Sequence, residues 1–125
     1  MEIPELLEIA WGVRDSAWPW KSGTKVGCAI ECTDGSIVVG SNIEGLWMTS
    51  IHAEVCAITR VVEKKQLAVK VVIVAKTKSF TPCGACLDWL MQFSTKDCVV
   101  ITENKQREIK EYRLREDLCP NYPEQ

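Results

Sequence analysis

Lys70-Val71-Val72-Ile73-Val74-Ala75 is the stretch whose reading decides the fold. Four branched aliphatic residues in a row, with no polar alternation, make a strand buried on both faces, and such a strand belongs to a sheet covered by helices above and below. Downstream, Thr81-Pro82 opens a helix predicted over residues 83–93, with Leu87, Leu90 and Met91 on it. A second buried strand follows in Cys98-Val99-Val100-Ile101. The turn Thr102-Glu103-Asn104-Lys105-Gln106 then leads to a short strand over 108–112, and the charges from Glu103 to Glu111 read as a solvated turn. Residues 114–119 and a proline-containing tail finish the chain.

Upstream of the central strand, Thr49 or Ser50 can cap a helix reaching about Lys65, with an apolar stripe of Ile51, Val55, Ile58 and Val62. Residues 41–50 read as irregular. Before them, strands over 24–32 and 37–40 flank the tight turn Thr33-Asp34-Gly35-Ser36, a hairpin. Leu6, Leu7, Ile9, Ala10 and Val13 recur at helical spacing over 4–17, and Trp18-Pro19-Trp20-Lys21-Ser22-Gly23 breaks that helix. The order α-β-β-α-β-α-β-β predicts an α/β fold: a three-layer α/β/α domain spanning residues 1–125 around a five-stranded mixed sheet. The final connection, about six residues, is too short for the helical crossover that parallel strands require, so the last two strands are expected to be antiparallel.

Composition supports a globular domain. The 125 residues are 46% hydrophobic and 26% charged, and the formal charge of −2 speaks against a nucleic-acid partner, which calls for a concentrated basic face. No apolar run approaches the roughly 18–20 residues of a membrane span. Met1-Glu2-Ile3-Pro4-Glu5 lacks the basic start of an export signal, so a cytoplasmic protein is expected. Seven cysteines cannot all pair within one chain, and reduced thiols, some of them binding metal, are the simpler expectation. Cys28, Cys32, Cys56, Cys98 and Cys119 read as small hydrophobes in packed elements.

The chemistry concentrates in two clusters, His52-Ala53-Glu54 and Pro82-Cys83-Gly84-Ala85-Cys86, each at a predicted helix start. Cys-x-x-Cys at a helix N-terminus lets both sulfurs face one ion, and the exposed amides there favour thiolate over thiol. With the chain's single histidine, His52, the set becomes one nitrogen and two sulfurs. A zinc site with three protein ligands keeps a fourth position for water, which marks a catalytic rather than a structural centre. Glu54, two residues past His52, can sit beside that water without being a ligand. A redox role for Cys83 and Cys86 leaves His52 and Glu54 unexplained, and a closed structural zinc lacks a fourth ligand, since Cys56 falls on a different helix face.

The spacing H-x-E…P-C-x-x-C is the signature of zinc deaminases, and the chain resembles the cytidine deaminase family of that superfamily. Val26-Gly27-Cys28-Ala29 is similar to the family's V-G-A-A strand, Gly40-Ser41-Asn42-Ile43-Glu44 to its G-x-N-[VI]-E segment, and residues 114–120 to its E-L-L-P ending. The resemblance implies Zn²⁺ on His52, Cys83 and Cys86, Glu54 as the catalytic acid and base, Asn42 and Glu44 as sugar contacts, and backbone groups at Ala53 and Cys83 on the base. It implies a small nucleoside as substrate, a role in pyrimidine salvage, and a homo-oligomer, a tetramer before a dimer, in which neighbouring subunits complete each site. The antiparallel end of the sheet is similar to the free-nucleoside and nucleoside-antibiotic branch.

The chain also departs from the pattern. Val55 stands where the members with a third cysteine carry an arginine, which is coherent because two thiolates and a neutral imidazole already balance Zn²⁺. Thr24 stands where the family's phenylalanine stacks on the base, and Gly45-Leu46-Trp47-Met48 replaces the usual loop. Trp47 or Trp20 is the candidate for the missing ring. Deamination of another amino-heterocycle, such as a nucleoside antibiotic or a modified cytosine, is therefore a second expectation, and a zinc-stabilised assembly module without catalysis a third.

Overall fold

The computed structural model describes residues 1–47 and 49–121; Met48 of the altered loop and the proline-containing end of the tail lie outside the described residues. Helix α1 (Ile3–Arg14) is followed by strands β1 (Val26–Cys32), β2 (Ile37–Ser41), β3 (Ile43–Glu44) and β4 (Ser50–Ile51). Helix α2 (Ala53–Glu63), strand β5 (Ala68–Ala75), helix α3 (Gly84–Gln92) and strands β6 (Ser94–Glu103) and β7 (Ile109–Arg113) complete the order, with a π-helical turn at Leu114–Leu118. Five strands form one sheet in the order β2-β1-β5-β6-β7. Only β5 and β6 run parallel; β6 and β7 are antiparallel, as the short connection requires.

The central strand is buried on both faces, and the period of two sorts its residues between two cores. Val72 and Val74, with Ala29 and Ile101, pack under Leu6, Leu7 and Ala10 of α1. Val71 and Ile73, with Ile30 and Val100, pack against Ala57, Ile58 and Val61 of α2 and Leu90 and Met91 of α3. Each fully buried Leu or Ile contributes roughly 1.5–3 kcal/mol. The result is the expected three-layer α/β/α arrangement.

Two close approaches set the helices onto the sheet. A Cβ on Gly40 would lie 2.7 Å from the Ala53 carbonyl oxygen and 2.5 Å from the Ala57 nitrogen, so only glycine lets the first turns of α2 lie this close to β2. Gly27 meets the Ala10 carbonyl oxygen of α1 in the same way.

Some expectations needed correction. Strand β6 begins at Ser94, because Ser94 pairs with Ala68 across a register shift, and that pairing recruits the polar run Thr95-Lys96-Asp97 into the strand. Residues 41–50 are not wholly irregular: Ile43 pairs with Ile51 and Glu44 with Ser50 in a small second ladder. The buried face of α2 is Ala53, Glu54, Ala57, Ile58 and Val61, while Ile51 and Val62 are exposed. The helix is rotated because small residues, not the largest aliphatics, meet the sheet at Gly40. The segment from Glu103 is not a solvated turn throughout, since Glu103 and Asn104 are both buried. Asn104 Oδ1 accepts the backbone N–H groups of Gln106 and Glu108, shaping the hairpin from within.

Candidate metal centre and pocket

Two helix starts converge on one point. His52 is the N-cap of α2 and Cys83 the N-cap of α3, both with extended backbone, and neither side chain makes the capping hydrogen bond usual at that position. Pro82 fixes its own φ and keeps Thr81 out of the helical region, so the chain enters α3 from a restricted segment. Freed from capping, the side chains meet each other. His52 Nδ1 lies 3.2 Å from Cys86 Sγ and 3.4 Å from Cys83 Sγ. The three ligand atoms all fall within 4.8 Å of one another, the one such gathering of His, Cys and carboxylate groups among the described residues.

The donor set fits zinc, which favours imidazole nitrogen with thiolate sulfur. Burial pushes the Cys86 thiol far above its ordinary range, and the Glu54 carboxylate and Cys83 add to the shift. A thiolate at that depth needs a positive charge beside it, which a divalent cation supplies. Cys56 is half-buried and outside the cluster.

Glu54 follows in the first turn of α2 and is only 6% exposed. Burial raises its pKa above the ordinary carboxylate value, opposed in part by its own backbone N–H, by His52 and by the Cys86 thiol. It lines a cavity of about 400 Å³ with His52, Ala53 and Cys83, a volume in the range of small-molecule sites. A buried acid beside three metal donors on a cavity wall can both accept and release a proton.

Asn42 and Glu44 line the same cavity. Asn42 Oδ1 accepts the Val26 N–H at 2.8 Å and its Nδ2 donates to the Thr24 carbonyl at 2.8 Å. Glu44 Oε1 accepts the backbone N–H groups of Lys21 and Ser22, both at 2.9 Å. Both side chains therefore hold the segment before β1 against the pocket, and each keeps some hydrogen-bonding capacity beyond those contacts. Trp18 fastens the same segment from the other side, exchanging backbone hydrogen bonds with Asn42 and Glu44.

The expected ring over the pocket is not a tryptophan. Trp47 is 83% exposed, Trp20 donates its Nε1–H to the Gly45 carbonyl, and neither is among the described lining residues. Phe80 lines the pocket with Thr24. Sequence reading passed over Phe80 because one aromatic in a polar loop carries no periodic signal; its place three residues before Cys83 was the available clue. Cys28, Cys32 and Cys98 are buried as expected, and burial pushes Cys98 up to about 12, while Cys119 is half-buried.

Residues 2–102 match the family model described as the cytidine and deoxycytidylate deaminase zinc-binding region. The chain belongs to this family. A cytidine deaminase from Halalkalibacterium halodurans is 30% identical over 121 residues, 94% of this chain and 92% of that protein. Among solved structures, the cytidine deaminase from Burkholderia pseudomallei superposes with a TM-score of 0.86 at 24% identity, covering 91% of this chain and 94% of its own. That from Bacillus anthracis gives 0.75 at 18% identity, over 95% and 87% of the two chains. These likenesses show that the sheet order and the helices on its two faces are those of cytidine deaminases. Among the described residues, no helix is long and apolar enough to cross a membrane.

Proposed function

We propose that the chain is a zinc-dependent hydrolase that deaminates cytidine, deoxycytidine or a closely related aminopyrimidine nucleoside and releases ammonia. The observation that carries this reading is the gathering of His52, Cys83 and Cys86 at two uncapped helix starts, with buried Glu54 on the wall of the same cavity. His52, Cys83 and Cys86 hold the zinc, which supplies Lewis-acid chemistry and lowers the pKa of water. Glu54 takes a proton from the attacking water and delivers it to ring nitrogen N3 as the oxygen bonds to C4. It then takes the proton of the new C4 hydroxyl and passes it to the amine as the C4–N bond breaks and the C4 carbonyl forms, so one carboxyl serves as base and acid in turn. The upward shift that burial gives the Glu54 carboxyl suits that work, because it makes the carboxylate a readier proton acceptor. Ala53 and Cys83 present backbone groups to the base. Asn42 and Glu44 contact the sugar with the capacity left after bracing residues 21–26.

The 125 residues act as one domain. Trp18, Ile43, Leu46, Trp47 and Ile51 are exposed around the β3–β4 ladder, and an apolar surface of that kind supports a homo-oligomer; the preference for a tetramer over a dimer comes from the family resemblance. Seven free cysteines, two of them metal donors, suit the reducing cytoplasm. Thr24 on the pocket wall favours a second reading, in which another amino-heterocycle, such as a nucleoside antibiotic or a modified cytosine, is the substrate.

Zinc quantification coupled to an ammonia-release screen over free bases, nucleosides, nucleotides and nucleoside antibiotics tests the proposal. Stoichiometric zinc with turnover of cytidine or deoxycytidine is expected. A zinc-loaded protein that releases ammonia from none of them defeats the reading, and turnover confined to another heterocycle selects the second.

A further inference from the structure

We infer that Trp20 is a positioning residue for the sugar end of the pocket, its indole holding the Glu44 carboxylate in place. The inference rests on the deaminase reading above and on Glu44 as a sugar contact. Trp20 donates its Nε1–H to the Gly45 carbonyl at 2.9 Å. The next two residues, Lys21 and Ser22, donate their backbone N–H groups to Glu44 Oε1, both at 2.9 Å. Neighbouring residues of the segment before β1 are thus bonded to neighbouring residues at the end of β3, Trp20 to Gly45 and Lys21 to Glu44. Both amides meet one carboxylate oxygen, so where residues 21 and 22 lie sets the direction in which Glu44 presents its remaining capacity. Ser22 and Glu44 themselves line the cavity.

The indole is what ties those two amides to the body of the protein. Upstream, Trp18 is held by its backbone bonds to Asn42 and Glu44. Past Pro19 the chain turns on itself: the Gly23 N–H donates to the Pro19 carbonyl at 2.8 Å, with Gly23 at a φ of +76° that suits glycine. A turn closed on itself moves as a unit, and Trp20, inside it, fastens that unit to β3. The acceptor is itself anchored, since the Gly45 N–H donates to the Thr49 carbonyl at 2.7 Å. Trp20 is 52% exposed and belongs to neither core, so its hydrogen bond rather than its burial does the fastening. A sugar contact is made equally in the bound and transition states, so loss of its positioning is expected to raise KM and leave kcat nearly unchanged.

Trp20→Phe tests this, because it keeps an aromatic ring and removes the donor. The KM for cytidine, or for deoxycytidine where the screen selects it, is expected to rise about threefold to tenfold, the worth of one net hydrogen bond. Zinc content and kcat are expected to stay at wild-type values. 2′,3′-Dideoxycytidine lacks the secondary hydroxyls by which a carboxylate can hold the sugar. Its constant, read as a KM or as inhibition of turnover, is expected to be the same in Trp20→Phe and wild type. In a Glu44→Ala background Trp20→Phe is expected to add no further rise, because two residues that act through one contact are not additive. Should Trp20→Phe fail to fold, Trp20→Leu carries the same comparison. If neither folds, the inference is overturned, since a half-exposed side chain that the fold requires is structural. No rise in KM, an equal rise on the dideoxy compound, or a full rise in Glu44→Ala overturns the role of Trp20 and leaves the deaminase reading standing. A wild-type protein that turns over neither cytidine nor deoxycytidine overturns the inference together with the reading it rests on.

Discussion

Two glutamates are buried to nearly the same depth on opposite sides of the sheet, Glu54 at 6% exposure and Glu103 at 7%. Glu103, at the end of β6, accepts the indole N–H of Trp11 and stands 3.4 Å from the Arg107 guanidinium. Arg107 in turn lies over the Trp11 ring, 4.9 Å from its centroid. That carboxylate is neutralised, hydrogen-bonded and enclosed by its partners, so it joins α1 to the β6–β7 hairpin. Among the described residues, Glu54 forms no ion pair with a lysine or arginine. Its neighbours are its own amide, His52 and a thiol, and burial raises its pKa. The difference teaches that depth alone does not set a carboxyl's surroundings: Glu103 is tied to an indole and a guanidinium, while Glu54 lines the cavity beside the metal donors.

The sharpest break of this comparison is Glu54→Gln. The side chain keeps its shape and loses its proton chemistry, so ammonia release is expected to fall about 100- to 10,000-fold with zinc content and melting temperature preserved. Retained turnover would remove the proposed mechanism. Next in size, His52→Ala deletes the sole imidazole donor. Metal content and activity are expected to fall together, by more than the roughly 10–100-fold typical of changes outside the metal's own ligands; zinc analysis of the purified variant checks it. A full zinc complement in that variant would move the metal elsewhere.

Glu103→Ala probes the other side. It strips the Trp11 indole and Arg107 of their acceptor, and urea unfolding is expected to show a loss of about 1–3 kcal/mol while kcat stays at the wild-type value. A catalytic defect without a stability defect would collapse the distinction between the two acids. The smallest effect concerns a third carboxyl. Hydrogen bonds from Ser22 and Lys21 hold Glu44 below its ordinary value. A lowered folded pKa contributes stability that is complete above the unfolded value of about 4.3 and is lost as pH falls through the lower folded one. Urea midpoints of zinc-free protein are therefore expected to decline less steeply on acidification below about pH 4.3 in Glu44→Gln than in wild type. Parallel acid limbs would show that these hydrogen bonds carry no net stability.

Much of this was legible in advance where a signal was periodic or rigidly spaced. Lys70 to Ala75 announced a strand buried on both faces, and the H-x-E and P-C-x-x-C spacings announced the donor set, since each records a strictly local demand of one strand or one helix start. The misread parts depended on partners distant in sequence. Ser94 became strand because Ala68 lay beside it, and α2 turned its small residues inward because Gly40 admitted them. Glu103 was hidden by Trp11, 92 residues away in the chain.

By itself, then, the sequence determined the layer order, the antiparallel end of the sheet and which residues could bind a metal, because backbone period, connection length and donor chemistry are properties of short segments. Only the tertiary structure decided that His52 meets Cys86 across 34 residues, which buried acid lines the cavity, and which of the chain's aromatic rings lines it too. Those outcomes depend on packing between segments remote in the chain, and burial, partnership and orientation exist only once such segments touch.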